Sequence, residues 1–454
     1  MRPHSLVCRL GASDIETLPP SRPGSRITEI SFIDGYERLG FGLGQAIDQL
    51  SQLGLRPSEV AVDLCLLAAA VTAADTRISR TTESQNAWTR EIELLLPVAD
   101  PTLWNTLTPL LVTTLNFLTG DRWALSFRER VPQLSTLASA PEKLRTANPT
   151  SVCLLSGGLD SFIGAIDLLS GQEHPMFVSH YWDTNSTSTY QKYCVAALKK
   201  RFPAAAIHHI QARVGFPSDT VSDQAGENTL RGRSFLFFGL AALTADAIGG
   251  NVTIHVPENG LISLNVPLDS LRLGALSTRT THPFYMTRVN ELLQGLGLSS
   301  QLSNSYGHRT KGQMAKECAD LTFLRKEAKH TMSCSSPGKA RFAGEQPKHC
   351  GYCVPCLIRR AAILEGWGVD DTLYLIPDLC ARVLNTNKAE GQHARSFQLA
   401  LARLTTKPGR AKLDIHRPGP LTDHLNELSA YESVYVEGLR EVGRLLASVR
   451  AEPL

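Results

Sequence analysis

The stretch SVCLLSGGLDS, residues 151–161, decides the fold. Its first five residues predict a short buried strand, and a helix is predicted to follow and run to Ser170. The two adjacent glycines between them allow backbone conformations closed to other residues and a close approach to a ligand. The main-chain N–H groups of such a turn, with the positive end of the following helix, favour an anion. The stretch therefore predicts a strand, a phosphate-binding loop and a helix.

The side chains of this loop extend the prediction. Ser156 and Ser161 supply hydroxyl donors. Asp160 would repel a phosphate, so its expected partner is a Mg²⁺ ion that bridges the phosphates. A plain strand-to-helix turn capped by a serine or the aspartate is the alternative that these residues leave open. The residues predicted to bind a nucleotide are Ser156, Gly157, Gly158, Leu159, Asp160 and Ser161.

Strands and helices alternate after the loop. Strands are predicted over 176–181, 205–210 and 252–256, and helices over 190–201 and 233–248. This alternation is typical of a parallel sheet with right-handed crossovers. We therefore expect an α/β fold built on a doubly wound parallel sheet.

The remaining parts of the chain have other patterns. Residues 1–148 are predicted to form an α+β accessory domain, and residues 366–454 a helical C-terminal region. Residues 1–25 are rich in Pro, Ser and Gly, so we expect them to lack fixed structure. The other predictions in the accessory domain are a strand over 27–33, a turn at Asp34-Gly35, a helix over 58–74 capped by Ser58, a helix over 102–118 and a half-buried strand from Trp123.

Composition narrows the class of protein. The chain has 454 residues, of which 43% are hydrophobic and 20% charged, with a formal net charge of +3. That charge is too small to argue for direct nucleic-acid binding. The most apolar run, residues 60–74, contains Asp63 and is too short to span a bilayer, and the N-terminus lacks the pattern of a signal peptide. We expect a cytoplasmic protein that does not bind membranes.

The ten cysteines fall into two groups. Cys8, Cys65, Cys153, Cys194, Cys318 and Cys380 are scattered and are interpreted as thiols, mostly in apolar surroundings, whereas Cys334, Cys350, Cys353 and Cys356 are clustered. Without a secretory signal, such a cluster favours metal over disulfides. Four thiolates at this spacing can complete a tetrahedral Zn²⁺ site, which would be structural. An iron–sulfur cluster or free thiols are the alternatives. We expect a zinc module over residues 331–365.

The loop resembles the signature of the PP-loop (HUP-like) ATP pyrophosphatases, and it differs from a Walker loop. Together with the cysteine cluster, it resembles the QueC-type enzymes, the 7-cyano-7-deazaguanine synthases. Weaker similarities are the segments 230–234 and 310–314, and Leu357-Ile358-Arg359-Arg360 after the cysteines. The resemblance covers roughly 150–365 and implies a PP-loop domain over 149–330.

This resemblance implies an ATP-dependent C–N ligase that uses ATP, Mg²⁺ and Zn²⁺. A deazaguanine carboxylic acid would be adenylated, and an amine would then displace AMP. By resemblance, Asp160, Lys311 and Arg233 are catalytic, and Arg231 and Glu258 contact the substrate. The alternative without a functional role is that the two arginines and Lys311 are solvated surface charges and that Glu258 caps a turn.

The chain departs from the parent enzymes in three ways. Residues 1–148 and the helical tail are additions, the interval between Cys334 and Cys350 is longer, and the segment 256–268 replaces the one that helps hold the base. Long chains of this kind resemble the QueC-like component of the Qat anti-phage defence system. That implies a partner protein whose N-terminus accepts the base. A PP-loop tRNA-modifying enzyme and a non-catalytic nucleotide-binding scaffold remain alternatives, and a homodimer is left open.

Overall fold

A computed structural model gives the structure of the chain. It describes residues 2–16, 19–20, 22–33, 38–85, 87–138, 140–141, 143–181, 187–221, 226–227, 229–269 and 279–454. The predicted turn at Asp34-Gly35 lies outside the described residues.

The N-terminal part is built on a four-stranded sheet in which every neighbouring pair is parallel. Its strands, in the spatial order β2-β1-β3-β4, are β1 (His4–Arg9), β2 (Arg26–Ser31), β3 (Glu91–Val98) and β4 (Arg122–Glu129). Its helices are α1 (Leu43–Ser51), α2 (Glu59–Arg77), α3 (Arg80–Glu83) and α4 (Pro101–Thr119). A parallel sheet with intervening helices is α/β architecture, so the prediction of an α+β accessory domain is wrong.

Strand β1 also corrects the prediction that residues 1–25 lack fixed structure. All six of its residues are buried, and it pairs with a strand on each side. Because β1 is covered on both faces, its residues do not alternate between apolar and polar as those of a half-buried strand do. The prediction for this part of the chain therefore rested on the Pro, Ser and Gly residues that follow β1. By contrast, the helix predicted from Ser58 is confirmed, because the Ser58 side chain accepts a hydrogen bond from the Ala61 N–H and caps α2.

The central sheet has five parallel strands and confirms the predicted α/β alternation. In the spatial order β7-β6-β5-β8-β9, they are β5 (Ser151–Leu154), β6 (Pro175–His180), β7 (His208–Ala212), β8 (Thr253–His255) and β9 (Gln301–Ser303). The helices are α5 (Leu159–Ser170), α6 (Thr187–Arg201), α7 (Arg233–Ile248), α8 (Gly260–Leu264) and α9 (Pro283–Gly295). The strand order reverses direction between β5 and β8, and such a switch point is where open α/β sheets bind ligands.

The N-terminal and central sheets share one hydrophobic core, which extends from Leu6 to Leu302. Helix α2 packs on α7, and the approach is close, because a Cβ atom at Gly239 would lie 3.1 Å from the Cβ of Ala68. The predicted domain boundary at 148/149 therefore falls between two sheets that pack against each other, and it stays a prediction.

A buried charge network reinforces this contact. Arg90 Nη2 lies 2.9 Å from Asp75 Oδ1 and 2.7 Å from Asp121 Oδ2, and Arg80 Nη2 lies 2.8 Å from the same Asp121 oxygen. The main-chain N–H of Gly232, just before α7, donates to Asp75 Oδ2 at 2.8 Å. Breaking one partner of such a buried pair costs about 3–5 kcal/mol, so the network ties the start of α7 to the N-terminal sheet.

The C-terminal part, from Lys311 onward, is mostly helical, including the residues 366–454 for which helices were predicted, and most of its buried hydrophobic residues belong to a second hydrophobic core. Its elements are α10 (Lys311–Lys316), α11 (Leu321–Glu327), α12 (Val354–Trp367), α13 (Ala389–Thr406), α14 (Ala411–Asp414) and α15 (Leu428–Leu445), with a short parallel pair of β10 (Leu384–Asn385) and β11 (Ala451–Glu452). Helix α15 packs against α8, α12 and α13. Among the helices that the structure describes, none has the length and apolar character needed to cross a membrane.

Candidate functional site

The loop at residues 156–161 turns from β5 into α5 at the carboxyl edge of the central sheet. Gly157 is buried and has a φ of 83°, in the left-handed region that glycine adopts readily. A Cβ atom at this position would lie 3.1 Å from the main-chain nitrogen of Gln191 in α6. The left-handed conformation therefore favours glycine here, and the close approach leaves little room for a side chain.

The loop presents donors at the start of a helix. Ser156 is exposed; its Oγ accepts from the Gly158 N–H at 3.3 Å and lies 3.1 Å from Ser161 Oγ. The side chain of Leu159 is fully buried, so this residue can offer only its main-chain N–H, which donates to Ser333 Oγ at 3.4 Å. Hydroxyl and N–H groups thus gather at the N-terminus of α5, where an anion is favoured.

A cluster of charged and amide side chains meets the loop at the switch point. Asp160 follows β5, Glu258 and Asn259 follow β8, and Lys311 begins α10 after β9. Lys311 Nζ lies 3.1 Å from Asp160 Oδ1. Asn259 Nδ2 donates to Asp160 Oδ2 at 2.7 Å and to Glu258 Oε1 at 3.2 Å. We call these four residues the carboxylate–lysine cluster.

The two carboxyl groups of the cluster titrate differently. Burial alone would raise the pKa of Asp160, but the positive charge of Lys311 and hydrogen bonds from its neighbours outweigh burial and lower it. Burial and the negative charge of Asp160 raise the pKa of Glu258 well above its ordinary value. As the pH rises, Asp160 therefore ionises first, and Glu258 keeps its proton to a higher pH than an ordinary glutamate. Such a division between neighbouring carboxyl groups is typical of functional sites.

The surroundings of Asp160 fit a divalent cation. Its Oδ1 atom is buried and, within the described part of the chain, accepts no hydrogen bond of good geometry, although Lys311 Nζ is close. An ionised carboxylate oxygen is the kind of ligand that Mg²⁺ prefers. The buried Oδ1 atom of Asp160 is therefore chemically suited to a divalent cation such as Mg²⁺.

The two predicted arginines lie away from this cluster. Arg231 is buried, and its Nη1 donates to the main-chain oxygen of Thr119 at 2.7 Å, at the end of α4. The structure thus brings Arg231 to the N-terminal sheet and not to the loop, which argues against the predicted substrate contact. Arg233 begins α7 and lines a cavity of about 830 Å³ between the two sheets. Its catalytic role stays a prediction.

This cavity lies at the carboxyl ends of β6 and β7, and its lining residues are outside the loop. Gln191, which packs on Gly157, also donates to the main-chain oxygen of His180 at 3.0 Å, and His180 lines the cavity. Burial and the positive charge of Arg233 lower the pKa of His180 to about 4, so its imidazole is neutral near pH 7. The N-terminal part contributes Phe41, Thr72 and Arg77 to the opposite wall.

The four clustered cysteines come together as predicted and are not disulfide-bonded. Their Sγ atoms all lie within 4.8 Å of one another, with 3.9 Å between Cys334 and Cys353 and 3.9 Å between Cys350 and Cys356. Four sulfurs about 2.3 Å from a tetrahedral zinc would lie roughly 3.8 Å apart. The cluster is thus buried and has the geometry to hold a metal such as zinc.

Local sequence explains this arrangement. Gly351 has a φ of 87°, and a Cβ atom there would lie 2.8 Å from the main-chain oxygen of Ile376. The glycine therefore lets the chain turn tightly between Cys350 and Cys353. The N–H groups of Ser336 and Cys350 both donate to Cys334 Sγ at 3.4 Å, so two main-chain groups hold this sulfur in place.

Residues 331–334 join the cysteine cluster to the glycine loop at residues 156–161. The Met332 N–H donates to the main-chain oxygen of Gly157 at 2.8 Å. Ser333 Oγ accepts from Leu159 and also from Nη1 of Arg359, at 3.4 Å in each case. Arg359 is fully buried. A metal that orders Cys334 would therefore also order the segment that lies on the loop.

Sequence reasoning missed several of these residues. Asn259 and Ser333 lie beside predicted site residues, but nothing in their own pattern marks them. The segment containing Arg359 was noted after the cysteines, but its contact with Ser333 was not predicted. Glu441, which contacts the start of α10, had no local signal.

Comparisons with protein-family models and with curated proteins found no match for this chain.

Proposed function

We propose that the chain is an ATP-dependent adenylating enzyme of the PP-loop type, which activates a 7-deazaguanine carboxylic acid and joins it to an amine. The observation that carries the proposal is the Asp160–Lys311 pair at the turn of a glycine loop. A glycine loop alone would favour any phosphate. A buried carboxylate and an ammonium group at the same turn add a ligand for a cation and a positive charge. Both are suited to stabilising pyrophosphate as it departs.

The reaction has two steps. A carboxylate oxygen of the acid attacks the α-phosphorus of ATP, the bond to the bridging oxygen breaks, and pyrophosphate leaves with the electron pair. The amine then attacks the acyl carbon, AMP leaves, and the amine gives up a proton. Mg²⁺ held by Asp160 would neutralise phosphate charge in the first step. Lys311 attracts the pyrophosphate oxygens, and the Gly158 and Leu159 N–H groups would exchange their long hydrogen bonds to Ser156 and Ser333 for these oxygens.

Glu258 is proposed to accept hydrogen bonds from the N–H face of the base. A carboxylate matches two adjacent donors in its ionised form. Because the pKa of Glu258 is raised, binding of the base would release a proton from it. Affinity for the base should then increase with pH until Glu258 is ionised in the free protein.

The cavity between the sheets is proposed to hold the nucleoside half of ATP. Gln191, which packs on Gly157 of the loop, donates to His180 in the cavity wall, and Arg233 also lies in the wall of the cavity. Its volume of about 830 Å³ is within the usual range for small-molecule sites. One wall comes from the N-terminal part, so that part contributes to the site.

We propose Zn²⁺ as the metal of the cysteine cluster and a structural role for it. Four sulfur ligands fill every position of a tetrahedral site and leave none for a substrate. The amine is proposed to be ammonia or the N-terminus of a partner protein in anti-phage defence. The extended N-terminal part supports a partner larger than ammonia.

The test is incubation with ATP, Mg²⁺, a deazaguanine carboxylic acid and either ammonia or candidate partner proteins. Release of pyrophosphate and a mass increase of the amine by the acyl group are expected, and Asp160→Asn should abolish both. Absence of pyrophosphate with every acid would refute adenylation. Binding of bulk tRNA at physiological salt would instead favour a tRNA-modifying enzyme.

A further inference from the structure

A residue of the C-terminal region reaches the start of the helix that carries Lys311. Glu441 in α15 is only 4% exposed, and its carboxylate accepts hydrogen bonds from Thr310 Oγ1 and, at 3.2 Å, from the Gly312 N–H. Thr310 is the N-cap of α10, and Lys311 is its first residue. Glu441 therefore binds the residues on both sides of Lys311.

The contact is built tightly. A Cβ atom at Gly312 would lie 2.5 Å from Glu441 Oε1, so glycine at this position allows the carboxylate to approach. Thr310 Oγ1 also accepts from the Gln313 N–H at 3.0 Å, and Gln313 Oε1 accepts from the Thr310 N–H at 2.8 Å. This capping box and the carboxylate behind it fix the first turn of α10.

The same helix supports the other half of the carboxylate–lysine cluster. Helix α8 begins directly after Glu258 and Asn259. A Cβ atom at Gly260 in α8 would lie 2.9 Å from a methyl group of Val434 in α15, and one at Gly438 in α15 would lie 2.9 Å from Leu261. Helix α15 thus packs against both segments that bring side chains to Asp160.

We infer that Glu441 is a positioning residue: by holding Thr310 and Gly312, it fixes the ammonium group of Lys311 against Asp160. The inference rests on the proposed function, and it makes the C-terminal helix part of the ATP site. The charged groups that face Glu441 are Glu365 of α12 and Arg444 of α15. Arg444 Nη2 and Glu365 Oε2 lie 2.8 Å apart and pair with each other, so the hydrogen bonds of Glu441 are directed mainly to the start of α10.

The first experiment compares Glu441→Ala and Glu441→Gln with the wild type in pyrophosphate release. Glu437→Gln is the matched control, because Glu437 lies one turn away on α15 and makes exposed ion pairs with Arg440 and Arg444. We expect Glu441→Ala to lower kcat by up to about 10²-fold, since a small misplacement of a catalytic group has effects of that size. Glu441→Gln should restore part of the rate, and the control should keep it. Ionisation of Glu441 should contribute to the pH dependence of kcat in the wild type, and this contribution should be absent from Glu441→Gln.

The second experiment places Glu441→Ala in a Lys311→Ala background. If Glu441 acts through Lys311, the double variant should be within about twofold of Lys311→Ala alone. Multiplication of the two separate losses would overturn the inference. Gly312→Ala, which displaces the carboxylate from the other side, should reproduce the loss of Glu441→Ala while the protein remains folded by circular dichroism.

A third measurement separates this inference from the proposed function. Calorimetric binding of inorganic pyrophosphate with Mg²⁺ requires no acid and no amine. Glu441→Ala and Lys311→Ala should weaken it alike, and the double variant should bind no more weakly than Lys311→Ala. Should the wild type bind pyrophosphate but never cleave ATP, the adenylation proposal fails and the positioning role survives. Unchanged pyrophosphate affinity in folded Glu441→Ala would overturn the positioning role.

Discussion

The side chain of Asn290 pairs with the main chain of Leu302 as a neighbouring strand would: its Nδ2 donates to the Leu302 oxygen at 3.1 Å, and its Oδ1 accepts from the Leu302 N–H at 2.8 Å. Leu302 is the middle residue of the edge strand β9. At the opposite edge, Gln49 of α1 pairs with Gln211 of β7 in the same way, at 3.1 and 3.0 Å. Side-chain amides thus satisfy main-chain groups on both edges of the central sheet and block pairing with another chain there.

Replacement of Asn290 by alanine should lower the free energy of unfolding by about 1–3 kcal/mol, because it leaves the N–H and the carbonyl oxygen of Leu302 without their partner. Urea denaturation measures this change. Gln294→Ala, on the exposed side of the same helix, should change stability by less than about 0.5 kcal/mol. Equal effects of the two substitutions would contradict the assigned role of Asn290. Gln49→Ala should behave like Asn290→Ala and should also weaken the contact between the two sheets.

The sequence predicted the elements whose determinants are local. Ser58 marks the start of α2 by a cap, and residues 151–161 contain the strand, the glycine turn and the helix in one stretch. The cysteines were found because metal ligands have a characteristic spacing. In each case the residues that determine the feature are near one another in the chain.

Features that depend on distant contacts were not predicted. Strand β1 is recognisable only through its two neighbours in the sheet, and β9 has three residues, too few for a pattern. Arg231 was assigned to the substrate by similarity, but its partner Thr119 lies more than a hundred positions away. Glu441 contacts Thr310 across a similar separation. No local property of these residues encodes such contacts.

Asp160→Asn should abolish adenylation. It should leave the fold intact, because Glu258 can supply the negative charge that pairs with the ammonium group of Lys311. The pKa of Glu258 is raised by burial and by the negative charge of Asp160, so removing that charge should lower it. Ionised Glu258 would then lie near an ammonium group that would otherwise be buried and unpaired. Thermal unfolding of Asp160→Asn should therefore differ little from that of the wild type.

The double variant Asp160→Asn/Glu258→Gln provides the control for this compensation. It removes both carboxylates and leaves the buried Lys311 without either, which should cost about 3–5 kcal/mol. Glu258→Gln alone should cost much less, since Asp160 remains. Additive effects of the two single substitutions would show that Glu258 does not compensate.

Removal of metal should loosen the glycine loop at residues 156–161 as well as residues 331–365. Met332 and Ser333 contact the loop directly, and Cys334 follows them in the cluster. Strong chelation, or Cys353→Ser, should lower the melting temperature and increase hydrogen exchange at Gly158 and Leu159. Cys380→Ser is the control, because Cys380 is exposed and outside the cluster. Elemental analysis should find close to one zinc per chain in the wild type, and a loop unaffected by chelation would disprove the coupling.

Glu441 should make stability fall as the pH rises from acidic to neutral. Burial raises the pKa of Glu441 from 4.5 to about 7, since its hydrogen bonds from Thr310 and Gly312 do not offset the loss of hydration. A raised folded-state pKa means that the folded protein binds more protons than the unfolded chain in this range. The contribution is therefore fully present below about pH 4.5 and is lost as the pH rises through about 7. At ~1.4 kcal/mol per pH unit, it amounts to roughly 3 kcal/mol at most. Glu441→Gln cannot ionise, so its free energy of unfolding relative to the wild type should increase between pH 4.5 and 7.5 in urea denaturation. A difference that stays constant over this range would show that Glu441 is already ionised throughout, with its charge satisfied by Thr310 and the start of α10.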